Sequence, residues 1–299
     1  MGANLKEVRE RISSVVNIQK STKAMKMVSA AKLRKAQDAI VKLRPYSDKL
    51  DHILKNILSN IDGDINLDFS KETAGEKVVI VLITSNKGLA GAFNSNLIKR
   101  TAALINDKYA EQRANNSLEI LCIGKKGRDF FKRNYKDVKL NSEYVDLFDD
   151  LTYQNLMSVS GLLMDDFLSG KIDKVDVVYS RFKNAGMQFS TSVQYLPVEK
   201  MKTYDESGQD SYKADYLFEP NKEELLQELI PSILHTKFQK FILDTHASEH
   251  GARMTAMDKA TENANDLLKD LKITYNKARQ EAITSEISEI VGGAAALNG

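Results

Sequence analysis

Tryptophan is absent from the 299 residues, cysteine occurs once and proline four times. The single thiol, Cys122, excludes an internal disulfide framework and fits a reducing compartment. With so few prolines, long helices meet few residues that lack a backbone donor. Long hydrophobic runs are missing too. The longest strongly apolar stretch, Val78 to Ile83, is six residues, against the roughly 20 that a membrane-spanning helix needs. No secretory leader is visible, and the start Met1-Gly2-Ala3-Asn4-Leu5-Lys6 departs from the myristoylation pattern at Lys6. Net charge is nearly absent, with 43 Lys+Arg against 41 Asp+Glu. What is present is globular in composition: 42% hydrophobic and 28% charged residues. The expectation is a soluble, intracellular protein.

The small net charge conceals segregation. Residues 1–50 carry 12 basic and 4 acidic side chains, and Arg11 to Gln37 holds seven bases and no acid. Residues 140–170 hold six acids and no base. A basic, acid-poor start suggests a mitochondrial transit peptide, but Glu7 and Glu10 argue against one. Two readings remain: a solvated helix face, or a surface for an acidic protein, lipid or nucleic acid.

Periodicity divides the chain into three. Residues 1–60 read as one helix, with Leu5, Val8, Ile12 and Val15 resuming at Met25, Val28, Ala31 and then Ala36, Ile40, Leu43. Gln19 and Thr22 interrupt this apolar seam, and Pro45 should kink the helix without ending it. Asp62 to Gly75 reads as a linker. Residues 76–200 alternate strand and helix. Strands are expected at Lys77–Thr84, Leu118–Gly124, Val175–Phe182 and Phe189–Val198, with a weak one near Val138–Val145. Helices are expected at Phe93–Gln112, Lys126–Asn134 and Tyr153–Ser169. That order implies an open α/β sheet closed by a hairpin. Residues 201–219 read as a polar connection.

Residues 220–299 carry the strongest period. Asn221 with Glu224 has capping-box spacing, and Pro231 should break or kink the helix locally. From Met254, the series Met257, Thr261, Ala264, Leu268, Leu271, Tyr275, Ala278, Ala282 steps by four and three residues in turn, an a/d seam. The stripe then shifts to Ile283, Ile287 and Ile290. Two long terminal helices with unsatisfied seams most simply pair antiparallel, leaving the α/β segment inserted between them.

Sites for chemistry are sparse. His246-Ala-Ser-Glu249-His250 fits the H-x-x-E-H zinc pattern, yet catalytic zinc needs a third ligand. Only His52 and His235 remain as other histidines. Thr84-Ser-Asn-Lys-Gly88-Leu-Ala-Gly91-Ala-Phe-Asn94 joins strand to helix, where a phosphate would find free amides, but it fits neither nucleotide-binding glycine pattern. A tight turn needing two glycines is the plainer reading. Cys122 reads as a small core residue. No Ser/His/Asp or Cys/His set emerges, so no catalytic, cofactor or metal site is assigned.

Three blocks resemble one family. Lys23–Ala36 (KAMKMVSAAKLRKA), Thr84–Asn94 (TSNKGLAGAFN) and a C-terminal group resemble the gamma subunit of F-type ATP synthases of bacterial type. The C-terminal group comprises Ser248–Met257 (SEHGARMTAM), Tyr275–Gln280 (YNKARQ) and Ile283–Leu297 (ITSEISEIVGGAAAL). Together the blocks span the chain. The resemblance implies an α/β fold in which a long antiparallel coiled coil of the N- and C-terminal helices carries an inserted Rossmann-like domain. It implies a non-catalytic rotor shaft inside a hexamer of alpha and beta subunits. The globular end would dock on epsilon and the membrane ring of c subunits, with no cofactor, nucleic acid or membrane insertion. Such a protein would sit peripherally on the cytoplasmic face of the bacterial plasma membrane. By motif position, Met25, Lys26, Lys32, Arg34, Lys35, Arg253, Gln280, Thr284 and Glu289 are implied contacts with alpha and beta subunits. A basic coiled-coil nucleic-acid binder and a zinc hydrolase are the alternatives.

Placing Met25 opposite Arg253, as the resemblance suggests, sets residues 3–58 against 220–275. It also leaves the helix beyond Ala278 without a partner in its own chain.

Overall fold

The computed structural model describes residues 5–59, 69, 75–198 and 222–297, with the side chains of 48, 51–59, 222–228 and 295–297 outside that description. The linker and polar connection therefore fall almost wholly outside the described residues, as does the Asn221 cap. Two long helices, α1 (Leu5–Ser59) and α6 (Lys222–Leu297), flank everything else. The chain forms two compact units, one of residues 1–30 with 253–299 and one of residues 31–252.

The larger unit holds β1 (Val78–Ile83), α2 (Phe93–Lys108), α3 (Ala110–Ala114), β2 (Leu118–Ile123), α4 (Lys125–Asn134), β3 (Lys139–Asn141), α5 (Tyr153–Leu168), β4 (Lys174–Asn184) and β5 (Met187–Leu196). Strand order is β3-β2-β1-β4-β5, parallel except for β5, which runs antiparallel to β4. Every residue of β1 is buried, as a central parallel strand covered on both faces requires. Alternation sends Val78, Ile80 and Leu82 towards Phe93, Leu97 and Ile105 of α2 and Phe131 of α4. Val79, Val81 and Ile83 face Val159 and Leu163 of α5 together with Ile233, Phe238 and Ile242 of α6. The hairpin between β4 and β5 is closed by Asn184, whose Oδ1 accepts from the amides of Gly186 at 3.0 Å and Met187 at 2.8 Å. Pro45 and Pro231 both lie inside helices. Of the break or kink expected at Pro231, the break does not occur: α6 runs through it. Ile230, Ile233 and Leu234 beside it are buried in the core, and this packing holds the turn that has lost a backbone donor.

The smaller unit is an antiparallel helix pair. Val15 packs with Ala264 and Leu268, flanked by Ile12, Val16 and Leu271. Cross-links give the register: Arg9 donates to the Tyr275 hydroxyl at 3.0 Å, and Thr22 Oγ1 meets Thr261 Oγ1 at 2.8 Å. Lys26 Nζ reaches Asp258 at 2.5 Å. Asp258 thus stands about six residues beyond the position that pairing Met25 with Arg253 would require, and that register is corrected. Thr22 is buried on the seam, as expected, but Ser29 is buried in place of Val28, which is 58% exposed, and Ala31 is exposed. Strict heptad spacing through Val8, Val15, Thr22 and Ser29 sets the buried face, and side-chain polarity yields to it.

Candidate functional site

At the carboxyl edge of the sheet, the turn after β1 meets the start of α4. Thr84 Oγ1 accepts from the Gly127 amide at 2.9 Å, and the Ser85 carbonyl accepts from the Lys126 amide at 3.1 Å. Asn94 Oδ1 accepts from the Ser85 amide at 3.0 Å, and Asn86 Oδ1 from the Lys125 amide at 3.1 Å. These bonds tie the turn to the start of α4, and within the turn the Ser85 amide is taken by Asn94. Gly91 adopts φ of 57°, as a tight turn demands, and Leu89 joins it at 62°. The glycine the structure depends on most is Gly124, whose φ is 98°. A Cβ there would lie 2.1 Å from the Thr84 carbonyl oxygen. Close packing, not ligand approach, explains this glycine.

Cys122 is fully buried in β2, and burial pushes its thiol up to about 12, so it is protonated and unreactive. His246 and His250 do come together on α6, with Nε2 atoms 3.1 Å apart. Among the described residues no group of three or more His, Cys, Asp or Glu stands close enough to hold a metal ion. The third protein ligand that zinc hydrolysis needs is not among those residues.

Two buried carboxylates had no signal in the sequence. Asp176 of β4 accepts at Oδ2 from Tyr109 at 2.7 Å and Lys108 at 2.9 Å. Asp244 of α6 lies 3.5 Å from Arg44 of α1, at ion-pair distance but without hydrogen-bond geometry. Arg44 also donates to the Phe182 carbonyl at 3.0 Å, so one guanidinium joins α1, β4 and α6. Burial raises the pKa of Asp244, and Arg44 leads the nearby cations that pull it back.

The resemblance-derived contacts fall into two sets by accessibility. Lys32, Arg34 and Lys35 are exposed on α1, as are Gln280, Thr284 and Glu289 on α6. Met25, Lys26 and Arg253 are half-buried. Lys26 is engaged by Asp258 across the helix pair, a partner that heptad spacing finds only once the register is known. Thr284 donates to the Gln280 carbonyl of its own helix at 2.9 Å. Beyond the level of Leu5, α6 continues with Ile283, Ile287, Ile290 and Val291 all exposed.

A family model described as ATP synthase matches residues 4–297. The chain is 48% identical over 295 residues to the ATP synthase gamma chain of Cytophaga hutchinsonii, covering 99% of both chains. The gamma chain of Flavobacterium johnsoniae is likewise 48% identical, over 99% of this chain and 100% of its own. The chain belongs to the ATP synthase gamma chain family. The fold agrees. A chain from a cryo-electron-microscopy structure of the Euglena gracilis mitochondrial ATP synthase (OSCP/F1/c-ring, rotational state 3) matches with a TM-score of 0.67 at 23% identity, over 98% of this chain and 94% of its own. Another, from the rotor of the same organism's enzyme in rotational state 1, gives 0.62 at 22% identity, over 93% and 98%. Gamma chain membership gives no support to the nucleic-acid-binding or zinc-hydrolase alternatives, and a mixed α/β chain with a five-strand sheet and long N- and C-terminal helices is the fold these neighbours share.

Proposed function

We propose that the chain is the central rotor shaft of an F-type ATP synthase, coupling ion flow through the membrane ring to conformational cycling of the catalytic beta subunits. It does no chemistry itself and needs no cofactor. The observation that carries the reading, beside the family relationship over nearly the whole chain, is the end of α6: a helix with four large apolar side chains in solvent. Such a surface calls for a surrounding partner. An apolar sleeve formed by alpha and beta subunits suits it, since contacts without deep pockets centre a shaft without locking one angle. On α1, exposed Lys32, Arg34 and Lys35 suit acidic loops of the beta subunits. Each rotor angle then makes different contacts with the open and closed beta conformations and shifts their populations. The α/β unit would dock on epsilon and the ring of c subunits. No helix among the described residues is long and apolar enough to cross a membrane, so the reading makes this a peripheral protein, on the cytoplasmic face of the bacterial plasma membrane.

Reconstitution tests this. Added to alpha, beta and the remaining subunits in vesicles, the chain should restore ATP-driven ion pumping. The Lys32→Glu/Arg34→Glu/Lys35→Glu variant should lose most of it at low ionic strength. No pumping with the unaltered chain rejects the shaft role, and full pumping by the variant reduces the three bases to a solvated face.

A further inference from the structure

We propose that His246 and His250 form a bidentate site for a late first-row divalent cation, Zn2+, Ni2+ or Cu2+, on the surface of α6. The two residues are one helical turn apart, so their side chains share a face. Their Nε2 atoms are 3.1 Å apart and their ring centroids 4.6 Å, with the ring planes crossing at 76°. An ion about 2.0–2.1 Å from each nitrogen, at an angle between square-planar and tetrahedral, requires nitrogens about 2.9–3.4 Å apart. Rings converging on that ion carry their centroids about 4.5–5.2 Å apart by the same construction. Both observed spacings fall inside these windows. The rings therefore already stand as a chelate.

The surroundings hold that geometry. Phe148 stacks on His246 with centroids 5.8 Å apart and planes 21° from parallel, which restricts the imidazole's rotation. His250 is only 5% exposed. The helix backbone runs close to the hairpin here: a Cβ at Gly251 would meet the Ala185 carbonyl oxygen at 3.2 Å. When both imidazoles are neutral, two facing nitrogens at hydrogen-bond distance share one proton, and the metal replaces that proton between them. Imidazole pairs select late transition ions over Mg2+ and Ca2+, which want oxygen. With two protein ligands and water completing the shell through half-exposed His246, the ion is exchangeable and chelator-sensitive. It is a clip across one turn of α6, not a hydrolytic centre.

The test uses the full-length, untagged chain. Titration with Zn2+ should show one saturable site, and bound Cu2+ should give an electron paramagnetic resonance spectrum with two nitrogen couplings. His246→Gln and His250→Gln should each weaken binding at least tenfold, while His235→Gln leaves it unchanged. Metal-free thermal midpoints matching the unaltered chain show that the variants fold. If either variant fails to fold, the Cu2+ spectrum of the unaltered chain decides. Absence of saturable binding, binding that survives both substitutions, or a spectrum with fewer than two nitrogens overturns the proposal.

Discussion

A single methyl group is enough to break the carboxyl edge of the sheet. Gly124 holds φ of 98°, and its missing Cβ would sit 2.1 Å from the Thr84 carbonyl oxygen. Gly124→Ala combines backbone strain with overlap against main chain that cannot move aside, and should cost about 3 kcal/mol or more in chemical denaturation. Asp244 carries a pH signature. Burial raises its folded pKa above the ordinary 3.8, so its favourable contribution is complete below that value and is lost as pH rises through the folded one. Asp244→Asn should therefore be more stable than the unaltered chain at neutral pH, by about 1 kcal/mol, and the gap should close on acidification towards pH 4. Arg44→Ala acts in the opposite sense. It strips the countercharge from a buried carboxylate and should lower stability at neutral pH by about 1–3 kcal/mol. Stability curves of the three proteins across that pH range check both signs.

Among the elements, the helix pair shows register being fixed by polar groups in an otherwise apolar seam. Gln19 meets Asn265, Thr22 meets Thr261 and Lys26 meets Asp258 at successive turns. Sliding one helix by a turn breaks all three pairings together, which is a penalty that an all-leucine seam lacks. Leu268, buried against Val15 and Ala264, provides the apolar counterpart. Leu268→Asp places a carboxylate there without a partner and should cost a few kcal/mol, about the usual penalty for an uncompensated buried charge. A thermal midpoint unchanged by this substitution would contradict the pairing.

For the whole molecule, the decisive comparison is between the isolated chain and its assembled state. The last turns of α6 present Ile283, Ile287, Ile290 and Val291 to solvent, the last two more than 60% exposed. A helix supported by no neighbour is marginal in water, and Gly292-Gly293 weaken it further. Protease should cut beyond Ala282 readily in the purified chain and slowly once alpha and beta subunits surround it. Equal resistance in both states would show that the tail packs on its own chain, and the bearing role would fall.

How much of this the sequence determined follows from the range of each interaction. β-Branched runs at Val78–Ile83 and Val175–Phe182, and the heptads of both termini, are local patterns set by backbone sterics and burial, so strands and helices are readable to within two or three residues except at Phe93–Gln112 and the weak strand near β3. The family blocks point to the residues proposed as contacts, and the tertiary structure shows that Lys26 among them is already engaged by Asp258. Tertiary structure alone decided the rest. The register differs by about six residues from the one the resemblance suggested, and the matching of Thr22 with Thr261 and Lys26 with Asp258 is what fixes it, because such contacts exist only once the two helices meet. Ser29 rather than Val28 turned inward because helix phase is set by the whole seam, not by the polarity of one residue. The need for Gly124 is set by a carbonyl forty residues away in sequence. Nothing in the sequence singles out Asp176 and Asp244, which the packed structure buries, because desolvation belongs to the packed state and not to the chain.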